Sequence, residues 1–277
     1  MPKPLGRRDL LKGALALGAA GVLPAAASAA PTPQPRAETI AFAVPGLDPA
    51  HEGLRIAQLS DLHVGRRTAP ETVQAAIEQA NAFRPDLVVL TGDFLSSHPG
   101  EVEAMRSQLR GLAAPTVAVL GNHDHWVDPD GARHVLEEHG YAVLQNEWTT
   151  IRLRGAPLPV VGVDDLHTHH ADVAAAVKGL PRPVAPLVLA HGPRTADVLR
   201  RLERPMLCLS GHTHGGQIDL PIITPLFLHG VAREPYVRGH FQLGQVHLYV
   251  NRGIGNSALK VRVNCPPEVT LATLRRV

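Results

Sequence analysis

The chain has 277 residues, of which 44% are hydrophobic and 19% charged, a balance that can build a globular core and excludes a disordered protein. The formal net charge is +2 and no basic stripe with interleaved aromatic residues is present, so the sequence shows no typical nucleic-acid-binding surface. Histidine is frequent, with 16 residues against 2 Trp, 3 Tyr and 5 Phe, which points to metal or proton chemistry.

The first 29 residues have the order of an export signal. A basic head is followed by an apolar run over residues 10–23 and by an Ala/Ser-rich stretch that ends at Ala29. The head contains Arg7 and Arg8 and resembles a twin-arginine signal, which implies an extracytoplasmic protein (periplasm, cell envelope or secreted) that is exported already folded. Because the apolar run is shorter than the roughly 20 residues of a spanning helix, we expect cleavage near Ala29 and no transmembrane helix in the mature chain; an uncleaved membrane anchor is the alternative.

The remaining chain divides into a tether and one domain. Residues 30–37 are dominated by Pro and Ala and predict a flexible tether. Residues 38–277 contain no internal repeat and no second linker, so we expect a single domain. The two cysteines, Cys208 and Cys265, predict no structural disulfide, since Cys208 lies in an apolar run typical of a buried thiol.

Short apolar runs with helix-like segments between them predict an α/β protein with a layered sheet. Most of the runs are uniformly apolar, which is typical of strands buried on both faces. We predict strands over 54–59, 87–90, 117–120, 160–163, 187–190 and 206–209, and helices over 70–83, 101–112, 129–139, 171–177 and 195–202. The C-terminal part changes character and predicts three further strands, over 245–250, 260–263 and 269–274.

Five of the predicted strands end in Asp, Asn or His. The side chains concerned are Asp61 and His63, Asp93, Asn122 and His123, His191, and His212 and His214. Ligand sites of such sheets lie at the carboxyl ends of the strands, so we expect these side chains to meet. Two divalent ions about 3.5 to 4 Å apart need a bridging carboxylate, for which Asp93 is the candidate, and further carboxylate and imidazole ligands. Oxygen and nitrogen ligands without thiolate fit Mn, Zn or Fe, and the sequence does not choose among them.

These motifs also form a family pattern. In chain order, DLH, GD, GNHD, a later single His and GHTHGGQ resemble the motifs of the calcineurin-like metallophosphoesterases, and the resemblance extends from about Leu54 to Leu274. The later segments YVNRGIG and PPE are similar to those of the exported YkuE/YaeI-type branch of that superfamily. The resemblance implies a four-layer αββα sandwich with a dinuclear site at the carboxyl edge of the sheets.

The resemblance also implies roles within the site. One ion would be held by Asp61, His63, Asp93 and His214, and the other by Asp93, Asn122, His191 and His212. A hydroxide that bridges the ions would attack phosphorus in line. His123 matches the family's non-ligand histidine, which would protonate the leaving group or stabilise the phosphoryl oxygens.

The chain departs from the family pattern beside the predicted catalytic histidine. Many relatives have GDxxD, whose second Asp orients that histidine, whereas this chain has Ser96 at the position; Asp124 or a water on Ser96 is the expected substitute. Arg66 and Arg194, which closely follow two of the predicted ligands, are candidates to bind a substrate phosphate. A solvated surface position is the alternative for either arginine.

We therefore expect an exported dinuclear metallophosphoesterase that hydrolyses a phosphodiester, a preference that rests on the family branch and not on any single residue. A phosphomonoesterase or nucleotidase is one alternative, and a catalytically silent metal-binding scaffold is another. The apolar residues 220–228 follow the last motif and form either core or an apolar lip beside the site. A lip would favour a lipid-linked over another small-molecule phosphoester, with an acyl or prenyl group against Ile223, Leu226 and Phe227, and would let the protein contact a membrane surface.

Overall fold

The computed structural model describes residues 34–182, 184–220, 224, 234–257 and 259–277. The predicted export signal, half of the predicted tether and most of the apolar stretch over 220–228 lie outside these residues. Within the described ranges, no helix is both long enough and apolar enough to cross a membrane.

The first sheet has six strands that include both ends of the folded chain. Their bounds are β1 Arg36–Val44, β2 Arg55–Leu59, β3 Leu87–Thr91, β4 Thr116–Val119, β5 Ala142–Val143 and β12 Glu268–Arg276. The order across the sheet is β1-β12-β2-β3-β4-β5. Strands β2 to β5 run parallel to one another, whereas β12 is antiparallel to β2 and parallel to β1.

The second sheet also has six strands. Their bounds are β6 Glu147–Leu153, β7 Ala156–Val163, β8 Leu187–Ala190, β9 Met206–Ser210, β10 Gly239–Leu243 and β11 Val246–Val250. The order is β10-β11-β9-β8-β7-β6, in which the four central strands are parallel and each outer strand forms an antiparallel hairpin with its neighbour. The carboxyl ends of the central strands therefore lie at one edge of this sheet.

The helices connect successive strands. Their bounds are α1 Pro70–Ala82, α2 Glu101–Gln108, α3 Asn122–Val127, α4 Pro129–Glu138, α5 Val173–Ala176 and α6 Ala196–Leu199. Short 3-10 turns occupy Pro49–His51, Pro193–Thr195, Arg200–Leu202 and His214–Gly216. A proline at the first position starts both α1 and α4, where its missing N–H costs no helical hydrogen bond.

Three apolar cores separate four layers, and the alternation of side chains along β3 shows how. Val88 and Leu90 pack with residues of α1, α2 and α4 on the outer face of the first sheet. Leu87 and Val89 point the other way and pack between the two sheets. A third core covers the outer face of the second sheet, where α5 and α6 lie. The predicted α/β fold of αββα layers in a single domain is confirmed.

Three predicted segments need correction. The strand predicted over residues 260–263 is wrong, because only Val263 makes an isolated bridge, to Ile218, and Arg262 turns its side chain inward to backbone carbonyls. The predicted tether is too long by two residues, since β1 begins at Arg36, where pairing with β12 orders the backbone. The helix predicted over 171–177 shortens to the single turn of α5.

Candidate metal centre

The polar residues at the strand ends meet where the carboxyl edges of the two sheets come together. Asp61 and His63 follow β2, Asp93 follows β3, Asn122 and His123 open α3 after β4, His191 follows β8, and His212 and His214 follow β9. Two groups have ligand atoms within 4.8 Å of one another: Asp61, His63, Asp93 and His214, and Asp93, His191 and His212. The Asp93 carboxylate belongs to both groups.

The first cluster is fully buried. The Nε2 atoms of His63 and His214 lie 3.1 Å apart. Nε2 of His63 is 3.5 Å from an oxygen of Asp93, and Nε2 of His214 is 3.3 Å from an oxygen of Asp61. Carboxylate oxygens and imidazole nitrogens thus surround one point, which is the donor set that a divalent cation requires.

The second cluster lies on the other side of Asp93. Nε2 of His191 is 3.2 Å from Oδ2 of Asp93, the same oxygen that faces His63. Nδ1 of His212 is 3.2 Å from Nε2 of His191 and 2.8 Å from Oδ1 of Asn122. The structure therefore brings all seven predicted metal ligands together, in two sets around one carboxylate.

The backbone of the site is held in a conformation that most residues avoid. Asp61, His63, Asp93, His212 and His214 all have positive φ, between 42° and 74°. Each such non-glycine residue costs of order 1 to 3 kcal/mol, and a group of them at strand ends is typical of a functional site. The close approach of two strand ends also requires Gly211, where a Cβ atom would lie 1.9 Å from Oγ of Ser60.

Outer hydrogen bonds fix which imidazole nitrogens face the cluster. Nδ1 of His63 donates to the carbonyl of Leu95 at 2.9 Å, and Nδ1 of His191 donates to the carbonyl of Thr91 at 2.7 Å. A carbonyl can only accept, so the proton sits on Nδ1 and Nε2 of the neutral ring carries the lone pair. This is the usual arrangement around a metal-binding histidine.

Burial keeps three of the four histidines neutral. It lowers the pKa of His63 to about 4 and that of His212 to about 3, and it holds the pKa of His214 well below the ordinary value. His191 is the exception: burial favours its neutral form, but the negative charges of Asp93 and Asp61 outweigh burial and raise its pKa to about 10. The negative potential of the carboxylates thus favours positive charge at the site, and bound cations would supply that charge.

Asp124 joins the loop after β3 to the loop after β4. One of its carboxylate oxygens accepts the backbone N–H groups of Phe94 and Leu95, and the other accepts those of Asp93 and Gly121, each at 2.9 Å. Four backbone hydrogen bonds to one buried carboxyl group explain the last letter of the GNHD motif. Asp124 therefore positions the backbone of Asp93 and does not orient His123.

His123 has a partner other than the carboxylate that the family pattern predicts. Its Nδ1 donates to the backbone carbonyl of Ser96 at 2.6 Å, so the main chain at the departing position replaces the missing carboxylate. The ring packs edge-on against His63 at 4.7 Å and against Trp126 at 5.0 Å between centroids. Nδ1 is therefore occupied by this hydrogen bond, and Nε2 is the ring nitrogen that remains to exchange a proton with a substrate.

Arg262 and Gln217 support the site through hydrogen bonds, and the sequence predicted no function for either residue. A guanidinium nitrogen of Arg262 lies 3.2 Å from Nδ1 of His214, and the guanidinium donates to the carbonyl of Arg252 at 2.9 Å. The amide of Gln217 donates to the carbonyls of Leu259 and Val261. Arg262 lies 48 residues from His214 in the sequence, so no spacing signals the contact.

The predicted phosphate-binding arginines remain outside the clusters. Arg66 is exposed on the turn after His63. The side chain of Arg194 is 52% exposed, and its Nε is 4.0 Å from a carboxylate oxygen of Asp197. An exposed ion pair at this distance does little to fix the position of the arginine side chain. Neither side chain contacts a residue of the two clusters in the described part of the structure.

The histidines after β7 do not form a third metal site. His167 stacks on His212 with ring centroids 3.8 Å apart, and His170 stacks on His125 at 4.2 Å. His125 in turn pairs with Asp164 at 2.7 Å. The two groups described above are the only sets of three or more ligand side chains found among the described residues.

Comparison with known proteins agrees with this geometry. A family model described as calcineurin-like phosphoesterase matches residues 54–216. The uncharacterized metallophosphoesterase YkuE of Bacillus subtilis is 32% identical over 285 residues, covering 99% of each chain, and the phosphodiesterase YaeI of Escherichia coli is 36% identical over 228 residues, covering 79% of this chain and 82% of its own. Among solved structures, TT1561 of Thermus thermophilus has a TM-score of 0.39 and 16% identity, covering 73% of this chain and 90% of its own.

Proposed function

The chain belongs to the calcineurin-like phosphoesterase family, and from that membership we propose that it is a dinuclear metal-dependent phosphodiesterase. The observation that carries the proposal is the carboxylate of Asp93, which belongs to both ligand clusters. A carboxylate placed in this way can bridge two divalent ions, and the remaining donors divide into two sets around it.

The donor types fit divalent cations. Asp61, His63 and His214 would hold one ion, and Asn122, His191 and His212 the other, with Asp93 shared between them. The set contains carboxylate, amide and imidazole donors and no thiolate, which favours Mn, Zn or Fe. When bound, such ions acidify a water and neutralise charge on the phosphoryl oxygens.

His123 would assist the leaving group. Its Nδ1 is occupied by the Ser96 carbonyl, so a proton for the leaving oxygen must come from Nε2 of the protonated ring. A general acid in this position contributes typically about 10² to 10⁴ in rate. The hydrogen bond from the His123 backbone N–H to Oδ1 of Asp93, at 2.8 Å, fixes the residue next to the shared carboxylate.

The preference for a diester rests on a relative. YaeI, which is 36% identical, is described as a phosphodiesterase. We extend that activity to this chain, and we propose export through the twin-arginine-type signal at Arg7 and Arg8.

An assay of the purified protein tests the proposal. Hydrolysis of a soluble chromogenic diester and of the matching monoester is measured with Mn, Zn, Fe or Mg supplied separately. We expect metal-dependent turnover that a chelator abolishes and that is faster on the diester. Faster turnover of the monoester would support a monoesterase instead, and no turnover with any of the four metals would leave a metal-binding scaffold.

A further inference from the structure

Several exposed apolar side chains lie next to residues that contact the metal centre. In the described part of the chain, the exposed large apolar residues are Trp126, Val198, Leu220, Leu259, Val261 and Val277. Val277 follows the end of β12, and Val198 and Leu220 are only 37% and 38% exposed. The other three, Trp126, Leu259 and Val261, are called the apolar rim below.

Trp126 flanks the centre on one side. It is 64% exposed, the most of any internal apolar residue of this set. Its ring lies 5.0 Å from that of His123, which in turn lies 4.7 Å from that of His63. A large indole ring thus lies in solvent directly beside His123, the proposed general acid. A partly solvent-exposed tryptophan of this kind is typical of binding surfaces and membrane interfaces.

The rest of the rim lies on the loop that Arg262 links to His214. The Gln217 amide donates to the carbonyls of Leu259 and Val261, at 2.6 and 3.0 Å, and Arg262 anchors the same loop to His214. These contacts with the protein interior fix the backbone of residues 259–262. The side chains of Leu259 and Val261 nevertheless point outward, 55% and 45% exposed.

Positive charge accompanies the apolar side chains. Lys260 is exposed between Leu259 and Val261. Arg66 is exposed on a loop whose next residue accepts a hydrogen bond from the Asn256 amide, close to the rim loop. Cations set among exposed apolar residues complement an anionic lipid surface.

We propose that the apolar rim binds an anionic lipid surface and presents the phosphodiester headgroup of a lipid to the metal centre. The inference rests on the proposed phosphodiesterase function and names its substrate class. A phosphoester site at the centre of the rim requires that whatever docks there carries a phosphate, and a phospholipid surface supplies phosphate, apolar chains and negative charge together. The rim then removes its exposed apolar area from water on binding.

Vesicle sedimentation tests the rim. Purified protein is mixed with vesicles of phosphatidylcholine alone or of phosphatidylcholine with phosphatidylglycerol, and bound protein is measured. We expect binding that increases with phosphatidylglycerol, and at least a tenfold loss of binding in the double variant Leu259→Ser/Val261→Ser. The matched control is Val198→Ser, which changes an exposed apolar residue away from the rim and carries the same first 29 residues.

Turnover of the soluble diester separates the two proposals. We expect the double variant to keep this activity and its melting temperature while it loses hydrolysis of phosphatidylglycerol in vesicles. Equal vesicle binding by the double variant and the control would overturn the rim, even with full diesterase activity. If the parent protein binds vesicles but does not hydrolyse the soluble diester, the proposed function is overturned instead. A parent that cleaves soluble glycerophosphodiesters but no vesicle lipid would show that the phosphate comes from a soluble source, and the rim would then be wrong.

Discussion

Asp93 is the residue on which both ligand clusters depend. Its Oδ2 lies 3.5 Å from Nε2 of His63 and 3.2 Å from Nε2 of His191. An amide cannot bridge two cations as a carboxylate does. We therefore expect Asp93→Asn to bind less than two equivalents of metal and to lose at least a hundredfold in diester turnover. Elemental analysis of the purified variant, with the melting temperature as a control for folding, measures the first effect. Two equivalents with full activity would contradict the dinuclear assignment.

His123 is expected to act on the leaving group. The variant His123→Ala should keep both metals, because this side chain donates to Ser96 and belongs to neither cluster. Turnover should fall by about 10² to 10⁴, and most for alkyl esters, because an acid matters most when the departing oxygen is a strong base. A series of diesters with leaving groups of different basicity measures the dependence. A loss that is uniform across the series would mean that His123 stabilises phosphoryl charge.

At this scale the sequence predicted which strand-end side chains meet and missed the residues that support them. The seven predicted ligands follow buried strands, so their meeting could be inferred from topology. The Ser96 carbonyl that orients His123 could not, because a backbone acceptor leaves no trace in the residue type. Arg262 reaches His214 from a loop that was predicted as a strand, and its contact depends on a turn that no local pattern encodes.

Among the elements, central strands were predictable and edge strands were not. Every residue of β3 and β9 is buried, which matches their continuous apolar sequence. Strands β1, β6 and β10 lie at sheet edges and contain exposed polar residues, so their sequences resemble loops. Helix α3 was also missed, because its first three residues belong to the GNHD motif and were interpreted only as site residues.

Helix α3 is tied to the end of β7 by an ion pair. Burial works against charge at both groups, but their mutual hydrogen bond raises the pKa of His125 and lowers that of Asp164. A raised histidine pKa stabilises the fold below about pH 6.5 and is lost as pH rises, and a lowered aspartate pKa stabilises it above about pH 4 and is lost as pH falls. The pair should therefore contribute most between about pH 4 and 6.5.

The variant His125→Gln tests this window. We expect it to lower the free energy of unfolding by about 1 to 3 kcal/mol at pH 5.5, with a smaller effect at pH 9. Urea unfolding at the two pH values measures the difference. His134→Gln is the matched control, since that histidine is 67% exposed beside Glu138 and should change stability by less than about 0.5 kcal/mol. An equal loss for His125→Gln at both pH values would contradict the charged pair.

At the scale of the whole protein, export should depend on two arginines. We expect replacement of Arg7 and Arg8 together by Lys to block export and leave folded, active protein in the cytoplasm, because a twin-arginine signal is read by a receptor and not by apolarity alone. Cell fractionation with an activity assay of each fraction measures the outcome. Single replacement of Lys3 by Arg, which keeps the charge, is the control. Export of the double variant at the parental level would leave only a general export signal.

The insertion of β12 between β1 and β2 has a consequence for the timing of synthesis. Strands β1 and β2 both pair with β12, which is translated about 200 residues after β2. At about 5 to 20 residues per second, the edge of β2 stays unpaired for about 10 to 40 s while the ribosome continues. Such an open edge invites pairing with other chains, so a chaperone that covers nascent polypeptides should raise the yield of this protein more than that of one whose sheet is completed early. Because β1 pairs with β12, the segment that follows the predicted export signal cannot join the sheet until β12 has been synthesised.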